Sequence, residues 1–171
     1  MRARPATADD ADAFARVFAA VAAEERWIAT EPPVDVAERA ALVREQLARG
    51  DRLFVLEDDD GRVVGCLGLH QLNVRGVVSL GMSILGDARG RGGGRLLMDA
   101  AIAWLQDSDM HKVELEVWPD NERAIGLYER YGFEREGIRR DHYRRRDGSL
   151  RSSLIMARLL GDPQSRPGSG T

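Results

Sequence analysis

Glycines and arginines alternate in one short stretch of this chain, and together they have the chemistry of an anion site. The stretch lies between the apolar run Val77–Leu85 and the amphipathic segment RLLMDAAIAWLQ. A loop of this kind leaves backbone N–H groups free at the start of a helix, where the helix dipole adds partial positive charge. Glycine lets the backbone approach an anion without a Cβ in the way. We therefore predict a phosphate or pyrophosphate site made of Arg89, Gly90, Arg91, Gly92, Gly93, Gly94 and Arg95.

Two common phosphate loops are excluded by the residues around these glycines. A Walker loop ends in Gly-Lys-Ser/Thr, and that ending is missing here. The dinucleotide pattern G-x-G-x-x-G fails because its last position is Arg95 when counted from Gly90, and Leu97 when counted from Gly92. What remains is either the pattern R-x-x-G-x-G that starts at Arg89 or a flexible connector between a strand and a helix.

Composition is that of an ordinary globular protein. With 171 residues, of which 43% are hydrophobic and 31% charged, the chain is long enough for one domain with its own core. We assign the domain to residues 1–160 and a flexible tail to 161–171, where the sequence reads GDPQSRPGSGT. The formal net charge of −3 argues against broad nucleic-acid binding. No membrane-spanning run and no secretory leader is visible, so we expect a cytoplasmic protein.

The order of predicted elements indicates the fold class. Helices are expected to begin after Thr7 and after Asp35, and a hairpin is expected around the turn at 58–61. The central strand, the glycine loop and its helix come next, followed by a strand, a short helix over Glu122–Arg130 and two last strands. An α/β fold of the α+β type is the packing that this order favours, with a mixed, largely antiparallel sheet covered by helices.

A second pattern lies one strand and one helix after the glycine loop. It reads Asn-x-x-Ala-x-x-Leu-Tyr-x-x-x-Gly-Phe and runs from Asn121 to Phe133. Together with the loop pattern at Arg89, it resembles the signatures of the GNAT superfamily of N-acetyltransferases. The resemblance covers about 2–159 and is specific over 80–133. The overall pattern of the chain is similar to that of bacterial enzymes that act on amino acids, polyamines or the N-terminal alanine of ribosomal proteins.

This resemblance implies a cleft for acetyl-CoA in the sheet. In the family fold the central strand carries a bulge and splays from the next strand. Backbone groups of Met82, Ser83 and Ile84 would pair with the pantetheine arm, which Asn121 would also reach, and the amides of residues 90–95 would hold the pyrophosphate. No metal is expected, since the three histidines of the chain are widely scattered.

Transfer of an acetyl group to an amine needs a neutral amine, a polarised carbonyl and a proton for the departing thiolate. By resemblance, Tyr128 lies near the sulfur and is the general acid, although a core aromatic would look the same in sequence. Glu116 aligns with the base of the similar ribosomal-protein alanine N-acetyltransferases. Either Glu116 or Glu114 could instead be a solvated acid, and a water chain is an alternative base.

The segment between the first two helices occupies the family's acceptor-binding region. Trp27 and Glu31 are our candidates for substrate binding, and the acidic residues Glu24 and Glu25 lie beside them. An acidic rim would suit a cationic amine, but solvated charges at helix ends explain the same residues. The expected partner is a small-molecule amine or a protein N-terminus. The resemblance also allows for a homodimer formed through the last strands.

Two further functions compete with an enzyme. A non-catalytic acyl-CoA sensor would retain the cofactor cleft, and a nucleotide-binding protein would contain a fortuitous glycine loop. Retention of both Tyr128 and Glu116 favours the enzyme over the sensor.

Three further features of the sequence lie outside these patterns. Cys66 is four residues from His70 along one strand, about 13 Å at ~3.3 Å per residue, so we expect a buried packing residue rather than a nucleophile. The run 139–146 holds five arginines and is expected to be a solvated hairpin rather than a binding patch. Gly93 replaces the usual aliphatic residue of the family, which costs about 1 kcal/mol of helix propensity relative to alanine.

Overall fold

A computed structural model of the chain describes residues 1–161, so the tail predicted over 161–171 falls almost wholly outside the described part. None of the helices in this range has the length and apolar character needed to cross a bilayer. The strands are β1 (Arg2–Pro5), β2 (Arg52–Glu57), β3 (Val63–Gln71), β4 (Val77–Ile84), β5 (Lys112–Val117), β6 (Glu134–Arg144) and β7 (Leu150–Leu159). The α-helices are α1 (Ala11–Ala23), α2 (Val36–Ala48), α3 (Gly93–Gln106) and α4 (Glu122–Arg130).

All seven described strands form a single sheet in the order β1-β2-β3-β4-β5-β7-β6. Within residues 1–161 every neighbouring pair is antiparallel except β4 and β5, which are parallel. The predicted mixed, largely antiparallel sheet is therefore confirmed. The hairpin between β2 and β3 and the order of the helices agree with the sequence as well.

Strand β2 is buried on both faces, which explains why its sequence is a continuous apolar run. Phe54 and Leu56 belong to the core that α3 covers. Leu53 and Val55 point the other way and pack with Cys66 beneath α1 and α2. The sheet therefore separates two hydrophobic cores, one for each pair of helices.

A side-chain cap starts α2, and a capped 3₁₀ turn precedes α1. The Asp35 carboxylate accepts the backbone N–H groups of Ala37 and Glu38 at 2.9 and 3.0 Å, as predicted for the start of α2. Helix α1 begins later than expected, because a 3₁₀ turn over Ala8–Asp10 precedes it. In that turn the Asp10 carboxylate accepts the Thr7 N–H at 2.7 Å.

Arg4 bridges two carboxylates at this end of the sheet. It donates to both oxygens of Asp10 and to Glu57, each at 2.7 Å. The hydrogen bond from Arg4 lowers the pKa of Asp10 from 3.8 to about 2. The same guanidinium lowers the pKa of Glu57. A carboxyl group whose pKa is lower in the folded chain stabilises the fold in its ionised form.

We expect Asp10→Asn to lower the free energy of unfolding by about 1–2 kcal/mol at pH 7. Because the folded pKa is depressed, the contribution is present above pH 3.8 and is lost as the pH falls through about 2. Urea unfolding at a series of pH values measures it. The exposed neighbour provides the control, since Asp9→Asn should change little. A loss for Asp10→Asn that stays the same down to pH 2 would contradict the ion-pair account.

The sheet opens beside β4. Strand β4 pairs with β3 in one unbroken register, but its pairing with β5 ends after Ser79 and Glu114. Strand β5 remains paired with β7 as far as Val117. Over Leu80–Ile84, therefore, β4 has no strand on its second side within the described residues. The splay that the resemblance implied is present, because β5 turns away from β4. The prediction of a bulge in β4 is wrong, because β4 keeps a regular register with β3 over its described length.

Candidate active site

A cavity of about 510 Å³ occupies the opening between β4 and β5. Of the residues predicted to bind the cofactor, all line this cavity except Arg91. Tyr128 and Glu116 line it as well, and so does Trp27. The structure thus brings together residues that lie far apart in the sequence, in a concave site with both apolar and polar walls. Within residues 1–161 no three His, Cys, Asp or Glu side chains cluster as a metal site.

The glycine loop enters α3 through backbone conformations that favour glycine. Gly90 has φ = +82°, and Gly92, at the start of α3, has φ = +87°. The N–H groups of Gly93 and Gly94 have no acceptor in the part of the chain that the structure describes. They are the first groups of the helix, where an anion is stabilised. The Arg95 N–H is already used, because it donates to the Gly92 carbonyl at 3.0 Å.

Close packing explains why glycine stands at the start of α3. A Cβ at Gly93 would lie 2.4 Å from Cδ2 of Leu56, which is completely buried in β2. A Cβ at Gly94 would lie 3.0 Å from Cδ2 of Leu127. The departure from the family pattern at Gly93 thus has a steric reason, since Leu56 fills the space that a larger residue at 93 would need.

Arg89 is held by other parts of the protein. Its Nε donates to the Ile84 carbonyl at 2.8 Å, and both terminal nitrogens donate to the Glu24 carboxylate at 2.7 Å. This pairing ties the end of β4 and the glycine loop to the end of α1. No local pattern indicated this ion pair, because Glu24 and Arg89 are 65 residues apart. The side chain of Arg89 fixes the position of the loop.

Tyr128 lies on α4, where it lines the cavity while its ring packs in the core. The ring centroid is 5.8 Å from that of Phe133, and the residue is 6% exposed. Burial raises the pKa of Tyr128 to about 12, so the phenol keeps its proton at neutral pH. Its hydroxyl has no hydrogen-bond partner in residues 1–161. Asn121 positions this helix, since its side-chain oxygen accepts the Ala124 N–H at 3.2 Å.

Glu116 lines the cavity from the β5 side and is held by three donors. Arg139 forms an ion pair with one of its oxygens. The hydroxyl groups of Tyr143 and Ser153 donate to the other oxygen at 2.9 and 2.8 Å. Burial, followed by this hydrogen bond, raises the pKa of Tyr143. Glu114 is not in the cavity lining and lies 3.7 Å from Lys112 instead.

Tyr143 and Ser153 were missed by the sequence analysis, and so was Trp118. Trp118 lines the cavity and is 3% exposed, with its ring 5.3 Å from that of Tyr143 in an edge-to-face contact. Trp118 directly follows β5 and Ser153 lies on β7, so both belong to predicted strands or to their ends. Local patterns do not show that β4 and β5 splay apart, so they could not place both side chains at one cavity.

Glu31 takes a different place from the one expected. It is not among the described residues that line the cavity. Its carboxylate accepts the Arg146 N–H at 3.2 Å and lies 3.5 Å from Nε of Arg145. Trp27, by contrast, lines the cavity together with Ile28. The segment 24–35, which we call the α1–α2 loop, therefore contributes its aromatic residue to the site, while Glu31 anchors the loop.

The arginine run lies on an exposed hairpin between β6 and β7, as predicted, with four of its five arginines exposed and Arg145 as the exception. Arg145 is 7% exposed and donates to the Ala29 carbonyl at 2.7 Å. Arg146 donates to the Pro32 carbonyl. On β7, Arg151 donates to the Arg26 carbonyl at 3.2 Å. The β6–β7 hairpin thus holds the α1–α2 loop against the cavity.

Cys66 is a packing residue, as expected. It is buried between β3 and the first two helices, and burial raises the pKa of its thiol to about 12. His70, the histidine nearest to Cys66 in the sequence, has its Nδ1 3.3 Å from a carboxylate oxygen of Asp51. A thiol with such a pKa remains protonated at neutral pH, so Cys66 is not an activated nucleophile.

The fold and this cavity define a class of protein that the comparisons also find. The family described as the acetyltransferase (GNAT) family matches residues 17–133, so the chain belongs to the GNAT acetyltransferase family. Over 126 residues it is 30% identical to the N-alpha-acetyltransferase RimI of Mycobacterium tuberculosis, covering 72% of this chain and 76% of that protein.

Two further similarities concern amino-acid derivatives and the cofactor. The chain is 31% identical over 111 residues to the L-methionine sulfoximine/L-methionine sulfone acetyltransferase of Pseudomonas aeruginosa. That match covers 63% of this chain and 64% of the relative, which is less than two thirds of its length. A phosphinothricin acetyltransferase from Sinorhizobium meliloti, solved in complex with AcCoA, has the same fold, with a TM-score of 0.84 at 21% identity. That likeness covers 99% of this chain and 94% of the other.

Proposed function

We propose that this protein is an acetyl-CoA-dependent N-acetyltransferase that acetylates a primary amine directly, without a covalent enzyme intermediate. The observation that supports the proposal is that three chemical groups line the same cavity. A protonated phenol at Tyr128, a carboxylate at Glu116 and the free amides at the start of α3 all border the opening between β4 and β5. These are the groups that thioester aminolysis needs.

The residues present fit acetyl-CoA, which supplies the activated acetyl group as a thioester. The amides of Gly93 and Gly94 would hold the pyrophosphate at the helix start, where Arg91 and Arg95 add charge. Backbone groups of Leu80–Ile84 would pair with the pantetheine arm, because their second side faces the cavity rather than a strand. Asn121 borders the same passage. Arg89 contributes by holding the loop in place.

The proposed reaction forms a C–N bond and breaks a C–S bond, and two protons must move. Tyr128 donates its phenolic proton to the departing thiolate and recovers a proton from solvent. Glu116 accepts the proton that the amine loses, either directly or through a water molecule. Arg139, Tyr143 and Ser153 fix the orientation of that carboxylate. A backbone N–H of β4 would polarise the thioester carbonyl.

The acceptor is an amine of a small molecule or of a protein N-terminus, as the names of the relatives support. We place the enzyme in a reducing compartment such as the cytoplasm. Its single cysteine, buried and without a disulfide, supports this placement.

Acetyl-CoA-dependent release of free thiol tests the proposal, measured over amino acids, polyamines, aminoglycosides and N-terminal peptides. Robust turnover of one acceptor class, with the acetylated amine identified by mass spectrometry, is the expected result. Binding of CoA measured by calorimetry without turnover of any acceptor would favour the sensor function. Tight ATP binding without CoA binding would indicate a nucleotide-binding protein instead.

We expect Glu24→Gln to raise the KM for acetyl-CoA about five- to tenfold while kcat changes little. The substitution removes the charged partner of Arg89, so the glycine loop loses its tie to α1. Steady-state kinetics at saturating acceptor measure the effect. Glu25→Gln is the matched control, because Glu25 is the exposed neighbour and forms no ion pair among the described residues. Equal KM values for the two variants would show that the loop does not depend on this pairing.

A further inference from the structure

The acceptor end of the cavity holds one carboxylate, and that carboxylate is neutralised. Of the described residues that line the cavity, Glu116 is the only acidic one, and it is paired with Arg139. Of the three glutamates of the α1–α2 loop, Glu24 and Glu31 are also paired, and Glu25 does not line the cavity. Glu24 binds Arg89 at 2.7 Å, and Glu31 lies 3.5 Å from Arg145. A second ammonium group would therefore meet no unpaired carboxylate in the cavity wall.

The other walls of this end are apolar and aromatic. Trp27 and Ile28 face the cavity from the α1–α2 loop, and Trp118 and Tyr143 face it from the sheet. Such walls favour an apolar side chain over an extended polycation, which would lose hydration without gaining a charged partner.

From these observations we infer that Arg139 determines acceptor specificity. By neutralising Glu116, it makes the site select a single amine on an apolar body, such as an apolar α-amino acid or peptide N-terminus, over a polyamine. This inference rests on the proposed acetyltransferase function. It narrows the acceptor class that the relatives leave open.

The test compares kcat/KM for L-methionine, an apolar N-terminal peptide and spermidine in the wild type and in Arg139→Gln. We expect the wild type to prefer methionine or the peptide over spermidine. In Arg139→Gln the unpaired Glu116 should attract the polycation and shift that preference about five- to tenfold toward spermidine. Arg140→Gln is the matched control, because Arg140 is exposed and forms no ion pair in the described part of the chain.

The possible outcomes separate the two proposals. Wild-type preference for spermidine, or an unchanged preference in Arg139→Gln, would overturn the specificity inference and leave the acetyltransferase proposal standing. Turnover of another amine on the wider panel but of none of these three would overturn the specificity inference alone, and no turnover of any amine on that panel would overturn the acetyltransferase proposal as well. A shift in Arg140→Gln equal to that in Arg139→Gln would show a general charge effect and also overturn the inference.

Discussion

Tyr128→Phe lowers kcat for acetyl transfer by about 10²- to 10⁴-fold, the range in which a positioned general acid contributes. The KM for acetyl-CoA stays close to the wild-type value, because the ring remains against Phe133 and only the hydroxyl is lost. The free energy of unfolding changes little for the same reason, since the hydroxyl has no protein partner in residues 1–161. A large kinetic loss without a loss of stability distinguishes a proton donor from a core aromatic.

The pH dependence of kcat follows from the upward shift of the Tyr128 pKa. Burial raises that pKa to about 12, so the proton-donating form is complete throughout the neutral and mildly alkaline range. Activity limited by this group should therefore fall only at strongly alkaline pH. An ordinary tyrosine with a pKa of 10 would already limit the rate about two pH units lower.

Tyr131→Phe is the matched control for this experiment. Tyr131 lies three residues away on the same segment, but its hydroxyl donates to Asp99 at 2.6 Å and it does not line the cavity. Its kcat should remain within about twofold of the wild type. If Tyr128→Phe turned over acetyl-CoA as fast as Tyr131→Phe, another group would have to protonate the thiolate.

Gly93→Ala should lower the free energy of unfolding by about 1–3 kcal/mol, although alanine is the better helix former. The new Cβ would lie 2.4 Å from Cδ2 of Leu56, and Leu56 has no free space because it is completely buried. Relief requires α3 to move away from β2, which displaces the amides of the glycine loop. The KM for acetyl-CoA should therefore rise in the same variant. Urea unfolding and steady-state kinetics measure the two effects.

Gly137→Ala serves as the steric control. Gly137 lies on β6, and a Cβ there would meet nothing within 4 Å, so its unfolding free energy should stay within about 0.5 kcal/mol of the wild type. A double-mutant cycle with Leu56→Ala identifies the contact itself. The combined loss should be smaller than the sum of the single losses, because removing Leu56 makes room for the methyl group. Simple additivity would show that the cost of Gly93→Ala arises elsewhere.

Local patterns predicted the elements of this fold and much of its cavity. The Asp35 cap, the β2–β3 hairpin and the glycine loop follow from neighbouring residues, whose conformational preferences act over a few positions. Tyr128 and the loop glycines line the cavity because the order of elements leaves α3 and α4 on the same side of the sheet. Regular alternation on β5 placed Glu116 opposite the buried Leu115.

Long-range pairing of charges was beyond the sequence. Glu24 pairs with Arg89, and Glu31 lies beside Arg145 more than a hundred positions later. No local preference marks which acid will meet which arginine, because many pairings of exposed charges have nearly equal free energy. An acidic rim was therefore a reasonable interpretation of glutamates that arginines neutralise, and nothing local indicated that Arg145 would be buried on an otherwise exposed hairpin.

The opening beside β4 links the stability of this chain to its surroundings. Over Leu80–Ile84 the strand presents backbone donors and acceptors to a gap, as an edge strand would, although it lies in the middle of the sheet. A molecule that pairs with this edge binds the native chain and not the unfolded one. At a concentration one hundred times its Kd, such a molecule adds about 2.7 kcal/mol to the free energy of unfolding. The chain saturated with such a ligand should therefore resist proteolysis better than the free chain, because its unfolded form is less populated.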